Sequence, residues 1–199
     1  GAATADVSST ETFYNLTIDK GNNNALTVAN SDTLIVTNTL TLTDGKLNQT
    51  TIPAAGTIAA QGNVTGTSDF DTSTGLIEIT GSANQTLTGG GSLTAGKVPN
   101  IEIDKSGGTL TLSSIIRLDR WTYTAGTVDA TTNDSTIRCC ASETLDGQGT
   151  SATMAFDNVD VGGSTTLGGN LDVDGDLIIS GTAGLTTSSS NYSVNVAGN

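Results

Sequence analysis

Phe13-Tyr14-Asn15-Leu16-Thr17-Ile18, Val98-Pro99-Asn100-Ile101-Glu102-Ile103 and Phe156-Asp157-Asn158-Val159-Asp160-Val161 say nearly the same thing. Each holds an Asn followed by apolar, polar, apolar. The first two continue identically, with Asp19-Lys20 and Asp104-Lys105. Downstream of each stands a second group of similar runs: Leu40-Thr41-Leu42-Thr43-Asp44-Gly45, Trp121-Thr122-Tyr123-Thr124-Ala125-Gly126 and Leu177-Ile178-Ile179-Ser180-Gly181. Such self-similarity marks a repeat architecture. Trp121 and Tyr123 stand where the first of these runs has Leu40 and Leu42, which places at least Trp121 in the core.

Outward from these stretches the chain reads as short strands and turns. Leu26-Thr27-Val28, Leu34-Ile35-Val36, Ile77-Glu78-Ile79, Leu110-Thr111-Leu112, Ile116-Arg117-Leu118 and Leu171-Asp172-Val173 alternate inward apolar with outward residues. Between them stand turn formers such as Asp44-Gly45, Gly107-Gly108 and Gly168-Gly169-Asn170. No stretch carries the i, i+3, i+4 apolar pattern of a helix over a useful length. Ala54 to Ala60 is ambiguous, and Gly62 to Gly75 is expected to be irregular. The similar stretches recur at unequal spacing, which a solenoid tolerates because each coil touches only its neighbours. The expected fold is all-β, a parallel β-helix with coils of roughly 20 residues and essentially no α-helix. One solenoid domain over residues 1–199 is expected, with internal repeats beginning near 13, 98 and 156.

Composition bounds the function. Net charge is −13, charged residues are 14%, aromatics are 4%, and there is no His. That sign repels nucleic acid and anionic lipid. No apolar run approaches the roughly 20 residues of a membrane span. The chain opens with Gly, which reads as a processed or excised piece or as a cloning boundary. Cys139 and Cys140 are adjacent, so on a strand they point to opposite faces and bridge each other poorly. One buried and one exposed thiol is the plain expectation, with a bridge between subunits or a strained bridge between the two neighbours as the alternative.

Runs such as FYNLTIDK, LTVANSDTLIVTNTLTLTDGKLN and GLIEITGSANQTLTGGGSLTAGKVPNIEIDKSGGTLTL resemble the repetitive segments of very large bacterial secreted and surface proteins. Those segments are similar to the right-handed parallel β-helices of adhesins and autotransporter passengers. The resemblance implies an extracellular or cell-surface setting and brings no catalytic residue with it.

Several constellations bear on chemistry. Asp172, Asp174 and Asp176 echo the opening of a calcium loop, where alternate side chains reach one ion, but the closing Glu is missing. The competing reading is an outward strand face. Asp69, Asp71 and Glu78 could imitate paired glycosidase carboxylates, yet no basic residue is near in sequence. Without His there is no Ser–His or Cys–His nucleophile system, and Gly89-Gly90-Gly91 lacks the Lys and helix of a phosphate loop. No enzymatic activity is expected. Asn-x-Ser/Thr at Asn15, Asn48, Asn63, Asn84, Asn133 and Asn191 matters only in a glycosylating host.

Thr39, Thr41 and Thr43 share one strand face, as do Thr109 with Thr111 and Thr122 with Thr124. A flat array of such pairs resembles the ice-binding face of some β-solenoid antifreeze proteins. Glu78, Glu102 and Asp172 are expected to interrupt it, and Thr is in any case a good outward β residue. The leading expectation is therefore a structural segment of an extracellular fibre or adhesin stalk. Its strand-like ends lack caps, so it would associate head to tail with itself or with adjoining coils of a longer chain. A glycan- or calcium-binding module comes second, and a carbohydrate-active β-helix enzyme or an ice-binding solenoid comes after it.

Overall fold

The computed structural model describes residues 3–5, 10–21, 24–49, 56–71, 73–147, 153–187 and 190–198. Among these residues there are strands, bridges and turns, and no helix. The strands pair in parallel and stack as a β-solenoid of about seven turns. Side chains that bond across adjacent turns stand 18 to 26 residues apart, so the turns are unequal in length.

Each turn offers three faces. The first is formed by the opening halves of β2 (Glu11–Asp19), β4 (Thr33–Asp44), β10 (Asn100–Ser113) and β12 (Trp121–Asp129). It is completed by β6 (Thr57–Ala60), β8 (Leu76–Ile79), β14 (Thr144–Leu145), β16 (Thr165–Leu167) and β19 (Leu185–Thr186). The second takes the closing halves of the four long strands with β7 (Asn63–Gly66), β9 (Gln85–Thr88), β17 (Leu171–Val173) and β20 (Val194–Val196). The third holds β1 (Ala3–Ala5), β3 (Ala25–Val28), β5 (Lys46–Gln49), β11 (Ile115–Leu118), β13 (Thr136–Cys139), β15 (Asn158–Val161) and β18 (Leu177–Ile179).

Period-2 alternation turns every second side chain inward, and parallel register stacks it on its equivalent one turn away. On the first face Leu34, Ile58, Ile77, Ile101, Trp121, Leu145 and Leu167 form one continuous ladder. None of them is more than 2% exposed. Leu40, Val64, Leu87 and Leu112 do the same on the second face, and Ile116, Ile137 and Val159 on the third. Each such side chain contributes about 1.5–3 kcal/mol of transfer free energy.

Trp121 shares its rung with Leu34, whereas Leu40 lies on the second face. The ring is fully buried and meets Phe156 edge-on, centroids 5.6 Å apart at 71°. Tyr123 is half-buried, and its hydroxyl donates to the Gly126 carbonyl at 2.6 Å. The similar stretches around Asn15, Asn100 and Asn158 likewise occupy different faces: Asn15 pairs with Thr39 on the second, Asn100 with Leu76 on the first, and Asn158 with Thr136 on the third.

The stretch from Gly62 to Gly75 divides. Asn63–Gly66 is a strand; beyond it Phe70 bridges to Gly45 of the turn before with its ring fully buried, and the N–H groups of Asp71, Thr74 and Gly75 donate to carbonyls of that same turn. Gly62 is required at the corner, because a Cβ there would stand 1.8 Å from the Asn38 carbonyl oxygen. Of the ambiguous Ala54 to Ala60, Thr57–Ala60 is a strand, while Ala54 and Ala55 lie outside the described residues.

Candidate functional site

Asparagine side chains stitch the corners. The Oδ1 atoms of Asn63, Asn84, Asn158 and Asn170 accept the backbone N–H of Thr86, Thr109, Asp176 and Ser193 on the next turn, at 2.9–3.0 Å. Backbone donors at a corner leave the ladder and need partners, and Asn supplies them. These four Asn thus have a structural role at the corners.

The third face carries a charged ladder on its outside. Lys97, Arg117, Arg138 and Asp160 stack in register. Lys97 Nζ meets Asp119 at 2.7 Å, Arg117 reaches Asp71 at 3.1 Å, and Arg138 pairs with Asp160. Ser180 Oγ donates to the same Asp160 carboxylate at 2.9 Å. Three stacked cations would repel one another, and three carboxylates relieve this. Beside the ladder lies a shallow depression of about 190 Å³ lined by Leu93, Ile115, Thr136, Asn158, Asp160 and Ile178 among others. No aromatic residue lines it.

Asp69, Asp71 and Glu78 are not one site. Asp71 belongs to the third-face ladder through Arg117, and Glu78 stands on the outside of the first face over Ala59 and under Glu102. Burial first, then Glu102 and Asp104, push the Glu78 carboxyl above its ordinary range.

Asp172 is outward on β17 and accepts from Asn195 Nδ2 at 2.7 Å. Asp174 and Asp176 follow in the corner, where the Asp174 N–H donates to the Phe156 carbonyl. Asp157 is nearby, and burial together with Asp134, Asp174 and Asp176 raises its carboxyl. Among the described residues no group of three or more His, Cys, Asp or Glu is placed to hold a metal ion.

Cys139 is an inward rung between Leu118 and Val161, 1% exposed, with burial pushing its thiol up to about 12. Cys140 is half-buried, and both thiols are free.

Among the described residues the second face carries a repeating pattern of small polar side chains. One outward row runs Asn15, Thr39, Asn63, then Thr86 and Thr111. The row two residues on runs Thr17, Thr41, Thr65, Thr88 and Ser113. Glu78 and Glu102 do not interrupt these rows, because they project from the first face. Asp172 is on the second face, but several turns beyond Ser113. Thr122 and Thr124 lie on the first face, where Thr124 Oγ1 donates to Glu102 at 3.2 Å. No single residue in the sequence announces the two rows; the signal is the repeated Asn/Thr-x-Thr/Ser, and it requires the register to be known.

The fold defines a parallel β-solenoid. No protein-family model matches the chain, and no curated protein or solved structure matches it. No helix long and apolar enough to cross a membrane is present among the described residues.

Proposed function

We infer that the chain is a structural module of an extracellular fibre or adhesin stalk, extended by stacking further coils on its end. The observation that carries this reading is the last coil. From Leu177 to Asn199 the sequence holds no Asp, Glu, Lys or Arg. β18 ends the third-face sheet, and its Ile178 and Ile179 are 52% and 50% exposed. Ile179 continues the rung of Cys139 and Val161, both at most 1% exposed, so it is built as a core residue. At the other end Phe13 pairs with Val36 on an inward rung and is 38% exposed.

Edge strands that must stay single carry charges, Pro or bulges. β18 has none of these, which favours pairing with another strand. Main-chain hydrogen bonds would supply the joint and Ile179 the apolar contact. The partner is a second copy or adjoining coils of the same chain. Sedimentation at micromolar concentration tests this: head-to-tail oligomers are expected, and Ile179→Lys should dissolve them. A monomer unchanged by that substitution overturns stacking between copies.

A further inference from the structure

We propose that the second face binds ice through the two-row array of Thr, Ser and Asn side chains on its first five turns. The proposal is independent of end-to-end stacking. Strands in a sheet lie about 4.7–4.9 Å apart, and residues i and i+2 on one strand lie roughly 6.5–7 Å apart. The register therefore sets Asn15/Thr17, Thr39/Thr41, Asn63/Thr65, Thr86/Thr88 and Thr111/Ser113 on a rectangular grid with these two spacings. Ice planes that contain the c axis repeat their oxygens at two distances close to these.

Further features of this face point to ordered water rather than to a soluble ligand. None of the Thr and Ser hydroxyls in the grid makes a hydrogen bond to another described residue, so each is free to bond outward. They stand over a floor of Leu40, Val64, Leu87 and Leu112, none more than 1% exposed, which holds the strands in register. β-branched Thr has few χ1 choices, so hydroxyl and methyl keep fixed places. The ten grid positions themselves carry no charge. In the same turns the acids Glu78 and Glu102 project from the first face, and Lys97 and Arg117 from the third. On the second face itself Asp19 and Asp44 close β2 and β4 at the corner edge of the grid, Asp129 pairs with Thr111 on the next strand, and Asp172 lies further along. A charged group binds its own hydration shell tightly and would break a lattice of waters, whereas a methyl–hydroxyl pattern can continue one.

The experiment measures how protein partitions between a slowly growing ice shell and the remaining liquid, alongside inhibition of ice recrystallisation. The wild-type chain is expected in the ice. Thr65→Arg, at the centre of the grid, should leave the ice for the liquid, and Thr41→Arg provides a second site. Thr166→Arg, exposed on the first face, should partition like wild type. Circular dichroism and melting confirm that each variant is folded. Exclusion of the wild-type chain from ice, or equal losses in folded Thr65→Arg and Thr166→Arg, overturns the proposal.

Discussion

Glu102 lies directly over Glu78 on the outside of the first face, one turn along the ladder. Like charges directly opposite in a sheet destabilise it. Here burial adds to the effect, and the folded Glu78 carboxyl sits above its unfolded value of 4.5. The folded state thus binds this proton more tightly than the unfolded chain. Its penalty is complete above the folded value and is relieved as pH falls through it towards 4.5. Glu78→Gln should raise the melting temperature at neutral pH by roughly 1–4 °C for a chain of this size. The gain should shrink on acidification towards pH 4.5. A gain independent of pH would reject this account. Asp129 moves the opposite way: hydrogen bonds from Thr132 hold it low, so its contribution is lost as pH falls through its folded value.

Lys105 is a second test. The residue is 3% exposed, and its ammonium donates to the Ala83 carbonyl and to Gln85 Oε1. Gln85 Nε2 in turn donates to the carbonyls of Ala60 and Gly62, at 3.0 and 2.8 Å. One polar chain thus joins three consecutive turns inside a corner. Lys105→Met leaves two acceptors unpaired and should cost about 1–3 kcal/mol. Gln85→Leu strands carbonyls on the other side. Because the groups share partners, the double variant should depart from additivity by about 0.5–3 kcal/mol. Strictly additive denaturation midpoints would show that the chain of contacts does not act as a unit.

Much of this architecture was legible in the alternation. Leu34, Ile77, Leu112, Ile116 and Val173 read as inward residues, and they are. Register was not legible. Every short strand carries the same apolar–polar–apolar signature, so Asn15, Asn100 and Asn158 look equivalent in sequence while occupying three faces. Corner lengths decide which face a strand joins, and they vary from turn to turn. The two-row grid was masked for the same reason: Glu78 and Glu102 are near it in the chain but on another face in space. The ion pairs of Lys97 with Asp119 and Arg117 with Asp71 span 22 and 46 residues, beyond any local pattern.

Trp121 fills a rung held elsewhere by Leu34, Ile58, Ile77 and Ile101. Replacing it by Ala opens a large cavity beside Phe156 and should cost about 3–5 kcal/mol. Trp121→Leu restores the residue type of that ladder and should recover part of the loss. Native fluorescence should be blue-shifted and shielded from soluble quenchers, since the ring is fully buried. Emission at the wavelength of free tryptophan would place the ring in water and refute the packing.

The adjacent thiols should differ in reactivity because Cys139 ends β13 as an inward residue while Cys140, just past the strand, is half-buried beside the third-face charged ladder. Cys139 faces the core between Leu118 and Val161, with its thiol pushed up to about 12, so it holds almost no thiolate near neutral pH. Thiolate is the reactive form. Cys140 points outward and is partly accessible; burial raises its thiol too, while nearby Arg117 favours the thiolate. In a native titration with a disulfide reagent, Cys140 should react slowly and Cys139 should stay protected. Denaturation should release both. Cys140→Ser should abolish native labelling, and Cys139→Ala should leave it. Cys139→Ser would instead lower stability, because a hydroxyl would then stand in an apolar rung. Mass spectrometry after native labelling decides the point. Equal modification of both residues, or a Cys139–Cys140 disulfide in the purified protein, would show that Cys139 is not held inward at the end of β13.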